Sequence, residues 1–128
     1  MKKIVVSFSM IVAAVLFANC ALAQTKSSQN IFRHVVIMSF KPGTSADSIK
    51  TLDDLYLSLS KDPSVLAFEW GVNVSSRDTT ELKHVYVTTF ASKDDMKIYS
   101  KNLLYPKLFK VSLLIAEDVN VVDYWVNK

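Results

Sequence analysis

Between Phe32 and Phe40 the side chains alternate: Phe32, His34, Val36, Met38 and Phe40 fall on one side, Arg33, Val35, Ile37 and Ser39 on the other. That two-residue period predicts a β-strand, and because both sides are largely apolar, both should be covered. Lys41, Pro42 and Gly43 break the strand, and Thr44 with Asp47 fits a capping box for a helix carrying Ile49, Leu52, Leu55, Tyr56 and Leu59 at helical spacing and ending near Lys61. After a turn at Asp62, Pro63 and Ser64, the side chains of Leu66, Phe68, Trp70, Val72 and Val74 alternate with Ala67, Glu69, Gly71 and Asn73 as a second strand. The polar stretch 75–80 leads into a third strand, Leu82 to Phe90, so these two form an antiparallel hairpin with a long loop. Ser92 and Asp95 repeat the capping pattern ahead of a second helix, with Met96, Tyr99 and Leu103 on its buried face. Pro106 either interrupts that helix or opens a short following one through Leu114, and Val119 to Val126 closes the chain as a fourth strand.

The order strand, helix, strand, strand, helix, strand predicts an α+β, ferredoxin-like βαββαβ fold, in which a four-stranded antiparallel sheet carries its helices on one face. The other face is left bare in a monomer. Val35, Ile37, Val85 and Val87 fall on it, since they alternate with the histidine-bearing set, and an apolar patch of that kind calls for a partner. A two-fold homodimer with the sheets face to face, a dimeric α+β barrel, is the simplest solution.

Composition changes this picture mainly at the N-terminus. Lys2 and Lys3, an uncharged stretch from Ile4 to Ala18, and small residues at Ala21 and Ala23 read as a signal peptide over residues 1–23, with a polar lead-in at 24–30 and the folded domain over 31–128. The uncharged stretch is short of the ~20 residues needed to span a bilayer, and no later segment is long enough. The mature protein is therefore expected in the periplasm or medium. A cysteine at the end of such a stretch is sometimes a lipid attachment point, but Asn19 and Phe17 stand where a lipobox takes a small residue and a leucine, so cleavage near Ala23 is preferred to anchoring at Cys20.

Cleavage leaves 105 of the 128 residues, enough for one core, and removes the only cysteine, so no disulfide or thiol chemistry is expected. Without Lys2 and Lys3 there remain 13 basic against 12 acidic side chains, and the net charge drops from +3 to +1. With no basic block, and only Arg33 and Arg77 as arginines, nucleic-acid binding is not supported. Gly43 and Gly71 are too few for a phosphate cradle, and no cofactor is expected.

The chain resembles the stress-responsive A/B barrel (Dabb) domain family. The matching pieces are His34 to Lys41, Gly71 to Val74, His84 to Phe90 with the acidic helix start after it, Tyr99, and Val121 to Tyr124. The resemblance implies small dimeric α+β barrels, among them plant stress proteins and a polyketide cyclase whose pocket holds histidines from the first and third strands, a tyrosine on the second helix and a further histidine after it. His34, His84 and Tyr99 match the first three. Tyr105 stands where that cyclase has its general-base histidine, and a phenol with a reference pKa near 10 is a poor base at neutral pH.

For His34 and His84 three roles remain open: core residues bonded to backbone or water, pocket residues, or acid/base groups. Each lies near the start of its strand, so antiparallel pairing would put them at opposite ends of the sheet. Two histidines without a clear carboxylate partner fall short of a metal site. Phe68, Trp70, Tyr99 and Tyr105 form either an ordinary aromatic core or, with the histidines, the lining of a pocket for a flat ligand. Asp123, between apolar neighbours, needs a lysine, a tyrosine hydroxyl or a dimer partner. The expected function is binding of a small apolar or aromatic molecule by a homodimer. The alternatives are a cyclase-like or cofactor-free oxygenase-like enzyme using His34, His84 and Tyr99, and a structural or assembly module without a ligand.

Overall fold

The computed structural model describes residues 30–74 and 81–127; the expected signal peptide, the lead-in up to residue 29 and the stretch 75–80 lie outside the described residues. Within them the chain forms β1 (Phe32–Phe40), α1 (Ala46–Leu59), β2 (Ala67–Val72), β3 (Lys83–Phe90), α2 (Lys93–Tyr99), α3 (Tyr105–Ile115) and β4 (Ala116–Trp125). The strands make one antiparallel sheet in the order β2-β3-β1-β4, the ferredoxin-like arrangement, with the helices on one face.

Local chemistry explains most of the boundaries. Pro42 and Gly43 turn the chain out of β1: Gly43 has φ of 81° and Thr44 N–H donates to the Lys41 carbonyl at 3.1 Å, the pattern of a type II turn. The cap of α1 sits one residue later than the sequence pattern suggests, because the Thr44 hydroxyl is used on the Lys41 carbonyl at 2.7 Å and Ser45 Oγ accepts from Ser48 N–H instead. The second capping box holds as read, with Ser92 Oγ accepting from Asp95 N–H at 3.1 Å.

The helix that follows stops at Tyr99, so Leu103 does not face the core but stands 94% exposed in the turn before α3. Pro106 begins a separate helix, as its missing N–H costs nothing in a first turn. The far end of α3 is tied back to β1: Lys41 N–H donates to the Ile115 carbonyl and Lys41 Nζ to the Leu114 carbonyl, satisfying otherwise orphaned acceptors. Asp62 holds the start of the β2 segment to the α2–α3 turn by accepting from Ser64 and from Asn102 Nδ2, and these bonds, the Ser64 hydroxyl first, hold its carboxyl below the usual carboxylate range.

Phe32, Val36 and Met38 of β1 and Tyr86, Thr88 and Phe90 of β3 point toward the helices and are buried against Leu52, Leu55, Tyr56 and Leu59 of α1, with Tyr99 and Leu108 closing the layer. Each such leucine contributes about 1.5–3 kcal/mol by leaving water. Val35, Ile37, Val85 and Val87 lie on the opposite side of the sheet, half-buried by their neighbours and covered by no helix. No helix among the described residues is long and apolar enough to cross a membrane.

Candidate functional site

A β-bulge sets up the site. Ser39 pairs with Asp118 but Phe40 pairs with Ala116, so Glu117 is an extra residue at the start of β4. Past the bulge, Val119, Val121, Asp123 and Trp125 pair with Met38, Val36, His34 and Phe32, and therefore share the helix-facing side of the sheet. The helices do not extend over this edge strand. Val119 and Val121 stay exposed, and a cleft of about 370 Å³ opens between them and α3.

His34, Val36 and Met38 of β1 and Val119 and Val121 of β4 form the sheet side of the cleft. Leu108, Phe109, Ser112 and Leu113 of α3 form the opposite wall, spaced so that one face of the helix is presented. Tyr56, Tyr99 and Tyr105 also line it, and Ala116 and Glu117 of the bulge complete it. Most of this lining is apolar, so its few polar groups decide what fits.

The chief polar feature is His34 Nδ1, 2.6 Å from Asp123 Oδ1. A carboxylate only accepts, so Nδ1 carries the hydrogen and Nε2 is the nitrogen left for another partner. Burial, and next the neighbouring Tyr105, push the Tyr99 phenol well above its ordinary range; a hydrogen bond with Thr88 works the other way without cancelling them. Burial likewise raises Tyr56. Both phenols therefore stay protonated at neutral pH and serve as hydrogen-bond donors rather than bases. Tyr105 meets Tyr99 edge to face, with ring centroids 5.7 Å apart.

His84 is placed elsewhere. Its Nδ1 donates to Asp53 Oδ1 at 2.9 Å, and the Tyr86 hydroxyl donates to the same oxygen at 2.7 Å. His84 is 5% and Asp53 8% exposed, with Phe40 edge-on to the imidazole and Trp70 beside it. The register pairs His84 with Met38 and His34 with Thr88, four rungs apart, so the two imidazoles do not meet. Of the residues expected in a pocket, His34, Tyr99 and Tyr105 line the cleft; His84 is bonded to Asp53 beneath α1, and Phe68 and Trp70 stand on β2, the edge strand opposite β4, where Phe68 stacks on Tyr56 and Trp70 stays 40% exposed. Both histidines have a carboxylate partner, contrary to the sequence reading, since neither Asp53 nor Asp123 is near a histidine in the chain. The signals were there: Asp53 lies three residues before Tyr56 on the buried stripe of α1, and Asp123 shares the parity of Val121 on a strand next to β1.

Comparison with known proteins places this geometry in context. The profile of the family described as Stress responsive A/B Barrel Domain matches residues 32–126. The chain is similar to the stress-response A/B barrel domain-containing protein HS1 of Arabidopsis thaliana, 30% identical over 95 residues that cover 72% of this chain and 86% of that one. Its fold is similar to that of a hydroxynitrile lyase from Passiflora edulis, with a TM-score of 0.70 at 23% identity over 78% of this chain and 96% of that one. It is also similar to that of a dimeric ferredoxin-like protein of unknown function from Thermobifida fusca, with a TM-score of 0.67 at 10% identity over 80% of this chain and 97% of that one.

Proposed function

This chain belongs to the stress-responsive A/B barrel domain family, and from that premise we propose that it is an exported homodimer whose cleft binds a small, largely apolar or aromatic molecule. The observation that carries the reading is the His34–Asp123 pair set in an otherwise greasy wall. Such a cleft rewards a flat apolar skeleton with one polar group at His34 Nε2 and a second within reach of a tyrosine hydroxyl. Native mass spectrometry of the purified protein should find such a molecule bound, and Val121→Trp, which fills the cleft from the sheet side, should leave the protein empty. Wild-type protein that carries nothing and takes up no phenol or aromatic acid from a panel would overturn this reading.

A second reading, turnover by proton transfer, is favoured by the same pair, since a carboxylate-held imidazole with one nitrogen free is a side-chain arrangement suited to general acid/base work. A protein with a similar fold is described as a hydroxynitrile lyase. His34→Gln separates the two readings: a binding protein loses about tenfold in affinity and nothing else, the effect of one hydrogen bond to a charged or polar group, whereas an enzyme loses its turnover.

Export is supported by Lys2 and Lys3, the uncharged stretch after them and the small residues at Ala21 and Ala23. Sequencing the mature N-terminus should give Gln24 first, and an uncleaved Met1 would remove this part of the proposal. The homodimer is supported by the uncovered apolar side of the sheet and by the dimeric state of the Thermobifida fusca protein.

A further inference from the structure

The outward side of α3 is apolar where a surface helix is ordinarily polar. Phe109, Leu113 and Leu114 are 60%, 63% and 65% exposed, and Leu103 in the turn before the helix stands almost wholly in water. Phe109 and Leu113 also line the cleft, so this patch runs directly into its mouth. Lys107 and Lys110 stand exposed on the same side: Lys107, Lys110 and Leu114 follow one another at three- and four-residue spacing, as do Pro106, Phe109 and Leu113. The lysines that form ion pairs among the described residues are Lys50, Lys83 and Lys97, which leaves these two charges directed at solvent.

Apolar side chains interleaved with unpaired lysines on one face of a helix match a surface that is both greasy and negatively charged. We propose that the outward face of α3, with the turn carrying Leu103, docks on an anionic lipid bilayer. A second copy of this chain suits the face poorly, since a two-fold contact there would gather Lys107 and Lys110 of both copies into one apolar interface, whereas the opposite side of the sheet offers an apolar surface free of that conflict. Docking holds the cleft mouth against the acyl boundary, a consequence for ligand loading that rests on the function proposed above; the docking itself does not.

Flotation of the full mature protein with phosphatidylcholine vesicles, with and without phosphatidylglycerol, tests this. Binding is expected to the anionic vesicles only and to weaken with added salt. Lys107→Gln with Lys110→Gln should weaken it roughly 25-fold, about five-fold for each lysine removed from the surface. Leu103→Ser with Leu114→Ser should also reduce it, and both double variants touch exposed positions, so circular dichroism should remain that of the wild type. Val121→Trp, with its cleft filled, should still dock, which separates failure of docking from failure of ligand binding. Absence of wild-type protein from anionic vesicles, binding indifferent to all four substitutions, or loss of self-association in Leu103→Ser with Leu114→Ser would each overturn the proposal.

Discussion

Asp53→Ala should lower stability by about 3 kcal/mol, the cost of stripping a buried charged acceptor from two donors. Asp53 Oδ1 accepts from both His84 Nδ1 and the Tyr86 hydroxyl, and all three groups are shut away between α1 and the sheet. With alanine in place, an imidazole and a phenol are left without their acceptor in a space that the stacked Tyr56 and Tyr86 rings, 3.8 Å apart, keep closed to easy rearrangement. The thermal midpoint of a domain this size should fall by about 10 °C or more. Asp53→Asn, which keeps an acceptor oxygen, should recover part of the loss. A midpoint that Asp53→Ala leaves in place would mean that water reaches the trio and that it does not anchor α1.

Val87→Asp should dissociate the proposed dimer while leaving the secondary structure intact. Val87 pairs with Val35 across β1 and β3 on the side away from the helices, so the substitution does not enter the core. In a face-to-face dimer the two-fold axis brings in two carboxylates where two isopropyl groups had been, at a cost of several kcal/mol, so the dissociation constant should rise by about 100-fold or more. Sedimentation of both proteins at micromolar concentration reads this directly. An intact dimer in the variant would move the contact off this face, and a monomeric wild type would remove the dimer altogether.

Alternation and capping chemistry made the architecture legible. The side of β1 and β3 that meets the helices and the helix start at Ser92 follow from spacing and capping chemistry in the chain, and of the two outcomes Pro106 left open the structure takes the separate helix. The site was legible only in part. His34, Tyr99 and Tyr105 were readable as lining because each sits on the inner side of its element. Their polar organisation was not, since Asp123 is 89 positions from His34 and the register joining them depends on the bulge at Glu117, which no local pattern announces. Phe68 and Trp70 stand on β2, at the edge of the sheet opposite β4, and so lie away from this cleft: periodicity tells which side of a sheet a residue takes, not which strand it borders. Leu103 continued the helical spacing of Met96 and Tyr99, and only the end of α2 at Tyr99 puts it in water.

The four rungs between the two imidazoles have an evolutionary consequence. The trio of His84, Asp53 and Tyr86 ties α1 to the sheet, and it shares no side chain with the cleft that His34, β4 and α3 line. On the function proposed above, a chain of this kind can exchange specificity at exposed lining positions such as Leu113 and Glu117 with little cost to the core that keeps it folded, which is how a single scaffold comes to host unrelated chemistries.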